Sequence, residues 1–143
     1  MRRIFLIAAA TALAACNPPV DDTPGAFETF NASNITGPNC HFGVTRDASE
    51  AFFATDTAGS NRAFVRYKGE TIKLSAVDDL SVDESGSVSA LYFAIDYPAW
   101  DIVVDGEDIG AANMPPTLNL TVSLIQNERV MATSPKLIGS CAL

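Results

Sequence analysis

The chain is poor in the residues that most active sites and metal centres need. Its 143 residues include one histidine, one tryptophan and three cysteines. With a single His and no free Cys pair there is no zinc signature, because zinc sites draw three or four ligands from His, Cys and carboxylates. A Ser-His-Asp arrangement would have to use His41, and no nucleophile-elbow glycines support one. His41 therefore reads as a half-exposed structural residue at the start of a strand. No apolar run reaches the roughly 20 residues that a membrane-spanning helix requires. Positive charge is scarce as well, with 9 basic residues against 17 acidic ones. Nucleic-acid binding needs a basic footprint, so the composition argues against that partner. No catalytic, cofactor-binding or metal-binding motif stands out.

What is present begins with an address. Arg2 and Arg3 precede a short apolar core from Ile4 to Ala12, and Leu13-Ala14-Ala15 supplies small residues before Cys16, the plan of an export signal. The run Leu13-Ala14-Ala15-Cys16 resembles the bacterial lipobox. That resemblance implies cleavage before Cys16 and acylation of its thiol and amino group. Several acyl chains on one residue anchor stably, because each buried methylene contributes about 0.8 kcal/mol. Asn17 follows in place of the aspartate associated with inner-membrane retention, so attachment to the outer membrane facing the periplasm is expected. The organisation this predicts is a signal peptide over 1–15, a lipidated tether over 16–39 and a β domain over 40–143.

Without residues 1–15, which carry two arginines and no acid, the chain holds 7 basic and 17 acidic residues, a formal charge of −10. Such a field attracts cationic partners and speeds their encounter. With Cys16 lipidated, Cys40 and Cys141 remain, and an even pair in an exported chain reads as a disulfide. It would join the two ends of one domain.

The tether is rich in Pro, Asn, Gly, Thr and acids, a composition that buries little surface near Cys16. Ala26, Phe27 and Phe30 break that pattern, so the second half is expected to dock on the domain and add a strand or cover an edge.

The rest reads as strands. Leu118, Leu120, Val122 and Leu124 alternate with Asn119, Thr121 and Ser123, the mark of a half-buried strand. Residues 88–96 alternate too, with Leu91, Phe93 and Ile95 on one face and Tyr92, Ala94 and Asp96 on the other. Segments 62–67 and 70–75 flank Lys68-Gly69, where glycine suits a tight hairpin. Shorter candidates are Cys40 to Thr45, Ala51 to Thr55, Trp100 to Val104, Arg129 to Thr133 and Lys136 to Cys141. They are separated by turn clusters such as residues 56–61, 83–87 and 105–108. Asp47 to Glu50 resembles a helix-opening capping box, yet the adjacent Phe52 and Phe53 favour a strand. The expected fold is all-β, a small antiparallel sandwich or barrel of about eight strands closed by a terminal disulfide.

Two carboxylate groupings are the remaining candidates. Asp101, Asp105, Glu107 and Asp108 supply oxygen ligands near Gly106 and Gly110, but their spacing is not that of a calcium loop and reads as an acidic turn. Asp96 and Asp101 bracket Tyr97 and Trp100, giving carboxylates and aromatics together as a speculative binding site.

The tether, the all-β domain with cysteines at its ends, and the hairpin from Phe64 to Leu74 resemble membrane-bound C-type lysozyme inhibitors. Asp83-Glu-Ser-Gly-Ser87 stands where that family's serine- and lysine-bearing loop would be, so no inhibitory residue carries over. The leading expectation is a noncatalytic envelope lipoprotein that binds a protein partner at the membrane surface. The alternatives are inhibition of a cationic cell-wall hydrolase such as lysozyme, and a small periplasmic hydrolase using the acidic residues.

Overall fold

The computed structural model describes residues 24–35, 40–46, 50–56, 61–110 and 117–141. Residues 1–15, expected to be an export signal, together with Cys16 and Asp47 to Ser49, lie outside the described residues. The strands are β1 (Gly25–Ala26), β2 (Cys40–Gly43), β3 (Phe53–Thr55), β4 (Arg62–Tyr67), β5 (Glu70–Val82), β6 (Ser87–Ala94), β7 (Trp100–Asp108), β8 (Thr117–Gln126), β9 (Arg129–Thr133) and β10 (Leu137–Ser140). Eight of them close into an antiparallel barrel in the order β8, β10, β2, β3, β4, β5, β6, β7, with β7 pairing back onto β8. The strand pattern alone left sandwich and barrel open, and the β7–β8 ladder decides for the barrel. Nine pairs from Trp100↔Gln126 to Asp108↔Leu118 build it.

Closure fixes which parity faces inward. Phe42, Phe53, Val65, Leu74, Tyr92, Ile102, Val104, Leu118, Leu120, Val122 and Leu124 are fully buried. Their rings interlock: Phe42 stacks on Phe53 at 5.9 Å, and Phe53 meets Tyr92 edge-on at 5.8 Å. Where two large side chains would collide, glycine stands. A Cβ on Gly139 would lie 2.3 Å from the His41 carbonyl oxygen and 2.5 Å from the Phe42 ring. On Gly106 it would meet the Asn119 carbonyl oxygen at 2.1 Å and Leu120 at 2.8 Å. This alternation of small and large residues fits the narrow interior of a small barrel.

The Tyr92 hydroxyl is the exception to this dry packing. It is buried and makes no well-formed hydrogen bond among the described residues, the Leu80 backbone giving it only a weak polar contact. Burial first, and then the Asp79 carboxylate, push its pKa up to about 12. Tyr92→Phe keeps the ring and removes the orphan polar atom, so its expected effect at neutral pH is a gain of about 1 kcal/mol. The titration adds a pH signature. Below pH 10 both folded and unfolded chains keep the phenol proton. Between about 10 and 12 only the unfolded chain loses it, which lowers stability by about 1.4 kcal/mol per pH unit. Urea titrations at pH 7, 10 and 12 should show this alkaline loss in the native chain and a smaller one in the Phe variant.

The turns follow local chemistry. Lys68 and Gly69 take φ of 50° and 78° between the paired Tyr67 and Glu70, the left-handed pair that a two-residue hairpin requires. Asn127 and Glu128 do the same between β8 and β9 at φ of 51° and 64°. In the β5–β6 turn the Asp83 carboxylate accepts hydrogen bonds from the Ser85 N–H, the Ser85 hydroxyl and the Ser87 N–H at 2.6 to 2.9 Å. These donors hold its pKa below the ordinary carboxylate value.

Two strands run beyond the sequence expectation. β5 continues through Val77-Asp78-Asp79 to Val82, with register shifts on both sides of Asp78. β7 runs straight through Asp105 to Asp108, which is therefore strand and not turn.

Residues 24–35 form a strap across the barrel. β1 pairs in parallel with β9, Phe27 is buried, Glu28 bridges to Arg66 and Phe30 to Ala51, and a 3₁₀ turn follows at Ala32–Asn34. Its underside holds Ala32, Ala51 and Ala54 in a second apolar cluster with Phe30 and Ile35. That explains the unpatterned Ala51-Phe52-Phe53-Ala54. β3 is covered by the barrel interior on one side and by the strap on the other, and doubly covered strands lose their alternation.

Candidate functional site

The barrel wall carries two surfaces of opposite chemistry. The first is the outer face of β6, β7 and β8. Inward parity on β6 belongs to Val88, Ala90, Tyr92 and Ala94, so Leu91 and Phe93 point outward and are only half-buried. Register places Leu91 opposite Val103, and Phe93 opposite Asp101, which in turn faces Ile125. Leu91, Phe93, Val103 and Ile125 belong to neither packed apolar cluster, and Ile95, two residues beyond Phe93, is 45% exposed. On the strand between them Asp101, Asp105 and Glu107 share the outer face and are exposed. At about 3.3 Å per residue they form a carboxylate ridge roughly 20 Å long. Glu107 meets Lys136 at 3.4 Å in a pair exposed on both sides, which screening makes weak.

The second surface lies on β4 and β5 under the strap. It is a groove of about 660 Å³ with Phe30, Ile35 and Phe64 along its sides and Arg62, Arg66 and Lys73 among its lining. Arg62 pairs with Asp56 at 3.0 Å, and Arg66 with Glu28 at 3.1 Å. Arg62, Arg66, Lys68 and Lys73 are four of the chain's 9 basic residues and fall within twelve positions. That clustering is the signal in the sequence that reading by net charge passes over.

The speculative group around Trp100 is divided by the fold. Tyr97 stacks on Trp100 with centroids 4.2 Å apart, and Trp100 meets Tyr67 edge-on at 6.0 Å. Tyr67 in turn contacts Phe27 at 6.2 Å. Tyr97 donates its hydroxyl proton to Glu70 at 2.7 Å, and that bond, burial and the Glu70 and Asp96 charges raise its pKa. Both rings pack against the core, so they close one end of the barrel. Asp96 is exposed beside them. Asp101 is not in the group, because neighbours on a strand point to opposite faces, and it belongs to the outer ridge.

His41 sits half-buried on β2 between Ala54 of β3 and Ser140 of β10. The Cys40–Cys141 disulfide is formed, with 4.9 Å between the Cα atoms. Asp108 accepts the Gly110 N–H at 2.9 Å. Among the described residues no three His, Cys, Asp or Glu side chains converge as a metal site, and no helix is long and apolar enough to cross a membrane.

Compared with protein-family models, with curated proteins and with solved structures, the chain matches none.

Proposed function

We propose that this chain is a noncatalytic, lipid-anchored envelope protein whose barrel binds a cationic protein partner through the outer wall of β6 to β8. The observation that carries the reading is the contrast between two apolar stretches of wall. The chain covers β3 with its own strap, whereas Leu91, Phe93, Val103 and Ile125 stand outward beside an acidic ridge. Outward apolar residues on both sides of a carboxylate ridge offer a partner contact area and charge on one face. The ridge would steer a basic partner during encounter, and the apolar residues would retain it. The hydrolase alternative asks for two carboxylates across a cleft. Asp101, Asp105 and Glu107 instead project from one face of one strand.

Crosslinking and affinity capture of the lipidated protein from its own membranes tests this reading. The expected result is a basic protein whose recovery falls at least tenfold with combined Asp101→Asn, Asp105→Asn and Glu107→Gln. Recovery that survives neutralisation of the ridge would remove it from the interface. A cell-wall hydrolase as the captured partner would assign the inhibitory role.

The anchor has its own test. Cys16→Ser is expected to move the protein from the membrane pellet to the soluble fraction. Unchanged fractionation would mean that Cys16 is not lipidated.

A further inference from the structure

We infer that the groove under the strap is a second binding site, separate from the protein-binding wall, and that it takes a small amphipathic carboxylate. The charge balance within it defines the ligand. Arg62 and Arg66 each face a carboxylate of the chain, Asp56 and Glu28. Lys73 makes no ion pair with the described residues. Lys73 is therefore the groove's one cation with no counter-charge among the described residues, and a monoanion matches it where a polyanion exceeds it. A polyanion would also be repelled by the acidic body of the protein.

The shape adds the second requirement. Lys73 lies directly across from Phe64 in the β4–β5 register, and both side chains line the groove. Phe30 and Ile35 bring apolar surface from the strap, and Asn31, Asn34 and Thr71 add neutral hydrogen-bonding groups. A volume of about 660 Å³ is within the range of sites for small organic molecules. The ligand class is an aromatic or branched apolar body bearing one carboxylate. The carboxylate would bind Lys73, with the body between Phe64 and the strap.

Calorimetric titration of 2-naphthoate and of its neutral counterpart 2-naphthylmethanol tests this assignment, using the full chain with Cys16→Ser so that no detergent is needed. The acid is expected to bind at least tenfold more tightly than the alcohol. Lys73→Gln should abolish that difference and Lys73→Arg should keep it, while Phe64→Ala should weaken both compounds. Both side chains face outward from the barrel, and an unchanged melting temperature in each variant would confirm an intact fold. Equal affinity for acid and alcohol, no binding of the acid, or indifference of the acid to Lys73→Gln would overturn the proposal. None of these results depends on whether the β6 to β8 wall binds a protein.

Discussion

Replacing Cys40 and Cys141 together with serine is expected to lower the stability of the folded chain by about 2 to 5 kcal/mol. The bridge spans a sequence separation of 101, and a closed loop of that size removes about 4.7 kcal/mol of entropy from the unfolded chain in the chain-entropy model. It does not create the pairing it staples. β2 and β10 are already joined through Ile138↔Gly43, Gly139↔Phe42 and Ser140↔His41, so the effect should lie mainly in the unfolded state. Urea denaturation read by fluorescence and by far-UV circular dichroism measures it. The native chain in reductant should fall to the midpoint of the double variant, and the variant should ignore reductant. A native chain whose midpoint does not move in reductant would show that the bridge contributes nothing. A typical domain has about 5 to 15 kcal/mol in total, so the reduced protein would keep only a thin margin.

Phe53→Ala should cost a similar amount, about 3 to 5 kcal/mol. The ring is fully buried and lies between Phe42 and Tyr92. Its removal costs the transfer of the side chain, a cavity and two aromatic contacts, each worth about 0.5 to 1.5 kcal/mol. The surroundings cannot easily collapse into the space, because β3 is held between β2 and β4 by Phe42↔Phe53 and Phe53↔Val65. The midpoint of urea unfolding should drop with little change in its slope. A loss below about 1 kcal/mol would mean that this ring is not part of the packed interior. Phe64→Ala offers a contrast, since Phe64 stands between the inward-facing Ala63 and Val65 and points outward; its loss should be felt in ligand binding more than in folding.

These expectations show which parts of the fold local sequence encodes. β8 was legible because Leu118 to Leu124 alternate without interruption, and the Lys68-Gly69 hairpin because its turn needs left-handed backbone. The full length of β5 and β7 was not. The run Asp105 to Asp108 looks like a turn in sequence, and the strand from Glu70 reads only to Ser75; yet the outer face of a barrel strand accepts acids freely, and the Asp78 bulge lets β5 continue. β3 was ambiguous between helix and strand because its second cover comes from residues 30–35, far from it in the chain.

The candidate surfaces were legible in fragments. Leu91 and Phe93 were visible as one face of a strand, but only closure of the barrel shows that the opposite face, with Tyr92, is the buried one. Asp101 was grouped with Trp100 by proximity in sequence, and the two-residue period of the strand separates them. The groove joins residues 30–35 to residues 62–73, and no local pattern connects those segments.

Site-specific photocrosslinking asks whether a partner sits on the β6 to β8 wall. A benzophenone amino acid is placed at Val103 on the wall and, separately, at Ser140 on β10 as an exposed control, in the full chain expressed in its own cells. Val103 is expected to capture one basic protein in a yield that high salt lowers, and Ser140 is expected not to capture it. Equal capture from both positions, or none from Val103, would contradict a partner on this wall.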